Sequence, residues 1–130
     1  MNRKIKSAIV LITGLVMALS LFASEAPVSA QYAVPTCNSA TLSGFVDPNG
    51  KATAVWFEWG PTKSLGYATS PQTFTSPLNF SAQISNLSQN TTYYYRAMAQ
   101  NSSGKSTGNT ISFKTSVCDT PPPPPPPPPP

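Results

Sequence analysis

Histidine is absent from the 130-residue chain, and only 9% of its residues carry a charge. The first absence removes Ser-His-Asp triads, Cys-His dyads and imidazole-ligated metals together, since each needs a ring nitrogen that titrates near neutrality or donates a lone pair. Two cysteines alone fall short of a tetrahedral zinc site, so neither a metal nor a cofactor is expected. The body of the chain also lacks a helical apolar period, and with it the crossover helices that a parallel sheet requires. At this length one domain is expected. What the chain has instead is Thr, Ser, Asn, Tyr and Phe in short runs, and 16 prolines.

The two ends read differently from the middle. Arg3, Lys4 and Lys6 precede an apolar run from Ala8 to Ala23, and Val28-Ser29-Ala30 follows. A basic start, a hydrophobic stretch and small residues before the cut describe a secretory signal peptide, so residues 1–30 are assigned to it, with cleavage after Ala30. An uncleaved anchor is the alternative, although the run is short of the ~20 residues that span a bilayer. No second apolar stretch exists, so no membrane span is expected after cleavage, and the product is placed outside the cell, secreted or on the surface. Cleavage leaves five basic and three acidic residues, a net charge of +2. So small a charge offers no footprint for nucleic acid, which is bound through clustered Lys and Arg.

Residues 119–130 end in ten consecutive prolines, Pro121 to Pro130. Proline fixes φ and donates no backbone hydrogen bond, so this segment is a polyproline II spacer or tail of about 31 Å at ~3.1 Å per residue. Such a run also suits aromatic-lined grooves that read proline. A spacer with nothing beyond it is unusual: it either packs against a wall or neighbour, or belongs to a longer chain.

Between the ends, alternation has a period of two. Leu42, Gly44 and Val46 share a face, and Asp47-Pro48-Asn49-Gly50 supplies a type I turn into a hairpin. Val55, Phe57 and Trp59 then oppose Ala54, Trp56 and Glu58, until Gly60-Pro61 ends the run. From Thr62 to Pro77 the pattern is weak, and at most a short edge strand near Tyr67–Ser70 is expected, where proline is tolerated. Phe80, Ala82 and Ile84 share a face, and Tyr93, Tyr95, Ala97 and Ala99 point inward against Tyr94, Arg96 and Met98. Asn101-Ser102-Ser103-Gly104 turns again, and Ile111 and Phe113 close the pattern. Six or seven short strands with turns every 8 to 12 residues predict an all-β, antiparallel β-sandwich over residues 31–118.

The stretch Leu87-Ser88-Gln89-Asn90-Thr91-Thr92-Tyr93-Tyr94-Tyr95-Arg96-Ala97-Met98-Ala99-Gln100-Asn101-Ser102-Ser103-Gly104 resembles the E–F corner, F strand and F–G turn of fibronectin type III domains. Val55-Trp56-Phe57-Glu58-Trp59-Gly60 is similar to the C strand of bacterial members. The resemblance covers about residues 40–115 and implies a fibronectin type III, immunoglobulin-like sandwich of the surface or secreted kind. It makes Tyr93 the tyrosine-corner residue, its hydroxyl bonded to backbone near Leu87. The chain departs from the family on the second strand, where Gly44 and Val46 stand in place of a tryptophan. The first strand is expected somewhere in Tyr32–Ala40.

Cys37 and Cys118 flank the sandwich. In an exported protein an even pair favours a disulfide across the ends, with intermolecular pairing or free thiols as the alternatives. No catalytic residue is assigned. The exported chain keeps Asp47, Glu58 and Asp119, and a glycosidase would need two of these facing across a cleft. Glu58 instead suits a cross-strand ion pair with Arg96. Trp56, Tyr94 and Arg96 point outward by strand parity and form the candidate ligand face, since exposed aromatics stack on sugars or anchor a protein. The leading expectation is a non-catalytic module of cell-surface structure, adhesion or protein–protein interaction, with a surface protein as partner. A carbohydrate-binding accessory module, with a polysaccharide as partner, is the alternative. A small enzyme built on Glu58 is the third reading. The Asn-x-Ser/Thr triplets are chance products of this composition.

Overall fold

The computed structural model describes residues 25–130, so the basic and apolar part of the expected signal peptide lies outside the described residues. Nine strand segments follow in order: β1 (Val28–Pro35), β2 (Ala40–Val46), β3 (Thr53–Gly60), β4 (Tyr67–Ala68), β5 (Gln72–Phe74), β6 (Leu78–Ile84), β7 (Thr92–Asn101), β8 (Gly104–Thr107) and β9 (Ile111–Lys114). All pairings are antiparallel. One sheet runs β1-β2-β6; the other runs β4-β3-β7-β8, with β5 also on β3 and β9 also on β7.

The nine segments amount to seven strands, because each edge of the larger sheet is one strand in two pieces. Along β3 the register moves from Glu58 to Val55 while the edge moves from Ala68 to Gln72, one residue further. Along β7 it moves from Met98 to Tyr95 while the other edge moves from Thr107 to Ile111, again one further. Pro71, which cannot donate to a ladder, occupies the first interruption, and Gly108 the second. A third irregularity falls at Gln31 in the edge strand β1. An extra residue kinks an edge and makes it a poorer template for another chain's strand, so three of the sandwich's edges are blunted against sheet extension.

Strand alternation places the core where the apolar period put it. Leu42, Val46, Val55, Phe57, Phe80, Ile84, Tyr95, Ala97 and Ala99 fill the space between the sheets. Phe80 lies directly opposite Gly44 and stacks on Phe57 with 4.8 Å between ring centroids. A Cβ on Gly44 would meet Phe80 Cζ at 3.0 Å and Ser29 O at 2.8 Å. Glycine at position 44 thus makes room for an aromatic ring that comes from the neighbouring strand.

Met98 faces the other way and is still only 1% exposed, being opposite Trp56 on the outer surface. Tyr95 is fully buried, and its hydroxyl has no hydrogen-bond partner. Burial disfavours the phenolate and pushes the Tyr95 hydroxyl up to about 12. The folded state therefore holds its proton above the pH at which the unfolded chain has lost it, and stability falls as pH rises from 10 towards 12. A two-unit gap corresponds to roughly 2 to 3 kcal/mol. Urea midpoints measured between pH 8 and pH 12 should show this slope in the wild type and lose most of it in Tyr95→Phe. That variant should be no less stable at neutral pH, because it removes an unpaired hydroxyl rather than a bond.

Four local expectations change. The turn after β2 lies one residue later: Lys51 N donates to Pro48 O, and the central residues Asn49 and Gly50 have φ of 53° and 74°. Two positive φ values mark the type I′ class rather than type I, with Asp47 Oδ1 accepting from Asn49 N. It makes no hairpin either, since β2 pairs with β1 and β6 while β3 lies in the other sheet. The edge after Pro61 carries a second piece, β5, beyond Pro71, and the segment after Gly104 carries β8. The first strand begins at Val28, upstream of the window from Tyr32, so the sandwich includes residues assigned to the leader.

That last difference has energetic content. Val28, Ser29 and Ala30 pair with Val46, Phe45 and Gly44; Ala26 is buried; Pro27 O accepts from Asp47 N, and Ala26 O from Ser106 Oγ. At about 1 kcal/mol per backbone hydrogen bond, a chain starting at Gln31 should be less stable than one starting at Glu25 by roughly 2 to 4 kcal/mol. Parallel urea titrations of the two purified chains check this.

The C-terminal end of the sandwich is knotted to its first strand. Cys37 and Cys118 form a disulfide with Cα atoms 5.1 Å apart, and Ser116 N donates to Thr36 O. The β6–β7 corner joins the same knot: Asn90 N donates to Ser116 O, Thr91 N to Thr115 Oγ1, and Cys118 N to Gln89 Oε1. Tyr93 Oη accepts from Ser88 N at 2.9 Å and holds the corner from inside.

Candidate functional site

Two surfaces cluster aromatic side chains at or beyond the rim of the core, while Tyr32, 59% exposed, stands apart on β1. The first is the outer face of β3 and β7, where the sequence placed Trp56, Tyr94 and Arg96. Trp56 is opposite Met98, Glu58 opposite Arg96, and Gly60 opposite Tyr94. The two rings thus sit four positions apart, about 13 Å at ~3.3 Å per residue. Between them Arg96 donates through both Nε and Nη2 to Glu58 Oε2, at 2.9 and 2.6 Å. Lys105 Nζ lies 5.5 Å from the centroid of the Trp56 ring. An ammonium on an indole face is attractive by about 0.5 to 1 kcal/mol at an exposed site, so part of this ring is already engaged. The face is a row of Lys105, Trp56, an ion pair and Tyr94, without a continuous aromatic platform.

The second surface lies at the open seam between the sheets, and the sequence did not single it out. Trp59 is the last inward position of β3 before Gly60-Pro61, so its ring reaches the rim of the sandwich instead of the centre. Tyr67 on β4 pairs with it across the ladder and stacks on it, with 4.7 Å between centroids and 27° between planes. On the other side Trp59 tilts against Tyr93 at 6.0 Å, and Tyr93 stacks on Phe113 at 5.8 Å. Tyr67 is 59% exposed, among the most exposed of the large apolar side chains. Two adjoining depressions of about 460 and 540 Å³ meet at Trp59 and Ser85. The first runs beside Pro71, Gln72 and Ile84; the second is bounded by Pro61, Tyr67, Leu87 and Tyr93. No charged side chain lines either depression. The second is lined by the polar residues Ser85, Asn86, Ser88 and Thr91, and the first by Thr69, Ser70, Gln72 and Gln83.

An aromatic at the final inward position of a strand, followed at once by Gly-Pro, was the available signal for this groove. It was masked because the same parity that puts Phe57 in the core also puts Trp59 on the inner face.

The carboxylates are committed elsewhere. Glu25 lies beside Gly104, Asp47 caps its own turn, Glu58 is held by Arg96, and Asp119 stands in the exposed tail. Among the described residues no three His, Cys, Asp or Glu side chains gather, and no helix is long and apolar enough to cross a membrane. The chemistry available is stacking, apolar contact and neutral hydrogen bonding.

No family model matches the chain, and no curated protein matches it. Among solved structures, it is similar to the sensor domain of the anti-sigma factor RsgI4 in Pseudobacteroides cellulosolvens, at 21% identity over 73% of this chain and 98% of that one, with a TM-score of 0.59. It is also similar to the sixth fibronectin type III domain of human fibronectin type III domain containing protein 3, at 22% identity over 71% of this chain and 85% of that one, with a TM-score of 0.52. Together with the two antiparallel sheets, these likenesses give the chain a fibronectin type III-like fold.

Proposed function

We propose that this is an exported, non-catalytic binding module, secreted or displayed at the cell surface, that serves surface structure, adhesion or protein–protein interaction. The observation that carries the reading is the Trp59–Tyr67 stack, an aromatic pair held rigidly by strand pairing at an uncharged groove and left open to solvent. Rigid aromatics at a groove are what binding sites use, because they offer large contact area at little conformational cost. Export is supported by the disulfide, which persists in oxidising compartments. Sandwiches of this shape host many roles, so the likeness to a sensor domain speaks for the scaffold, and the role is read from the surface.

The carbohydrate reading through Trp56 and Tyr94 is weaker, because Lys105 occupies the Trp56 face and an ion pair separates the two rings. Retention of the protein on an immobilised cell-surface fraction of its host tests both readings. Tyr67→Ala should reduce retention roughly tenfold, an effect of hot-spot size, and Trp56→Ala should leave it unchanged. Equal retention of wild type and Tyr67→Ala, or none by either, defeats the groove. Binding to purified polysaccharide that is lost with Trp56→Ala restores the outer face.

A further inference from the structure

The groove and the proline run belong to one corner of the molecule. Ser88 and Thr91 line the second depression, and the chain leaves the sandwich beside them: Cys118 N is bonded to Gln89 Oε1, and Asn90 N to Ser116 O. Only Asp119 and Thr120 separate the disulfide from Pro121, and every residue from Asp119 to Pro130 is exposed. A polyproline rod is stiff over several residues, so one rooted two residues from Cys118 projects outward and does not fold back across Leu87 onto Tyr67 of its own domain.

The groove nevertheless has the features that recognise such a rod. Polyproline II segments dock on aromatic-lined grooves, where proline rings lie against flat side chains and backbone carbonyls accept from ring N–H and phenol O–H groups. Here Trp59 divides two depressions, Pro61 and Tyr67 wall the second, and the exposed Tyr67 brings a phenol O–H to it. Both surfaces are uncharged, so neither repels the other. The rod carries no backbone N–H beyond Thr120 and asks the groove only for donors and apolar faces. Sheet extension is not an alternative mode for it, because proline cannot join a ladder.

We infer that the groove around Trp59 and Tyr67 binds the Pro121–Pro130 segment of a second copy of this chain. This names the partner of the groove already proposed as the binding surface and rests on that reading. Because groove and rod are different surfaces of the chain, the contact is heterologous: two copies that exchange rods close a dimer, and copies joined head to tail build rings or open chains.

Sedimentation velocity of the exported full-length protein from micromolar to millimolar concentration tests the inference. The weight-average coefficient should rise with concentration above the monomer value and return to it in excess deca-L-proline. Tyr67→Ala, at an exposed position on a two-residue edge segment, should shift the rise to roughly tenfold higher concentration. A protein that stays monomeric throughout, or whose association is unmoved by either the peptide or Tyr67→Ala, overturns it. So does a soluble glucan that changes Trp fluorescence in a Tyr67-dependent way when deca-L-proline does not. Loss of surface-fraction retention in Tyr67→Ala alongside a monomeric protein would keep the binding groove and remove only the proline partner.

Discussion

Replacing Cys37 and Cys118 together by serine is expected to cost about 4.5 kcal/mol of folding stability, the loop-entropy value for a bridge that closes 81 residues. The bridge acts chiefly on the unfolded chain. From the sequence the two cysteines flank the sandwich, but Cys37 follows β1, so the bridge forbids conformations in which the β1–β2 turn and the C-terminal end are far apart, and every strand except β1 lies inside the loop. Against a total of roughly 5 to 15 kcal/mol for a domain of this size, the reduced protein should be marginal. Its thermal midpoint should fall by about 20 to 35 °C, at ~4 to 8 °C per kcal/mol. The effect should also have a location. Without the bridge, the end of the chain is held by Ser116 N on Thr36 O, Asn90 N on Ser116 O and the Thr115 hydroxyl bonds to the corner. Amides of Thr115–Cys118 should therefore exchange faster than those of β3 and β7, as a local opening below the global one. Urea unfolding of oxidised, reduced and double-serine proteins measures the loss. A difference below about 1 kcal/mol would mean that these hydrogen bonds suffice and that the unfolded chain is already compact.

The corner that the bridge secures is also where the sequence was most readable. Leu87, Tyr93, Tyr95, Ala97 and Ala99 carry a period-two pattern that only one face of a sheet can satisfy, and β7 sits at the centre of the larger sheet with those residues inward. Ala54 to Trp59 reads equally well for the same reason. Pairing is another matter. Alternation states which face a residue occupies and says nothing about which strand lies beside it, so β2 and β3 were read as a hairpin although the turn between them crosses from one sheet to the other. Edge segments fail for a different reason: β5 and β8 are half-exposed on both sides, and a one-residue irregularity at Pro71 or Gly108 reverses the parity midway. The candidate site was legible in part. Parity turned Trp56, Tyr94 and Arg96 outward and set Glu58 across from Arg96, the ion pair that divides the two rings, yet it could not show that Lys105 lies over the indole. The groove depended on where a strand ends relative to the rim, which is a property of the packed sheets.

Gly44 and Phe80 should behave as one unit. Phe80→Ala removes a buried ring that stacks on Phe57 and should cost about 3 to 5 kcal/mol, the range for deleting a core phenylalanine. Gly44→Ala adds a methyl group that meets Phe80 Cζ at 3.0 Å and Ser29 O at 2.8 Å, and should cost about 1 to 3 kcal/mol as overpacking. In the double variant the ring that crowds the new Cβ is gone and part of the cavity is refilled, so the two losses should fall short of their sum by roughly 1 kcal/mol or more. Full cancellation is not expected, since Ser29 O belongs to the backbone of β1 and yields only if that edge strand shifts. A urea double-mutant cycle decides the matter: additivity within about 0.5 kcal/mol would mean that the backbone oxygen, and not the ring, requires glycine at this position. The cycle bears on the groove as well. Phe80 packs on Phe57, Phe57 meets Tyr95 edge-on at 5.9 Å, and Phe113 bridges Tyr95 to Tyr93, which tilts against Trp59. Loosening the glycine-aromatic pair at one end of this row should blunt the Trp59 stack at the other, visible as a red shift of tryptophan emission in Phe80→Ala before any unfolding.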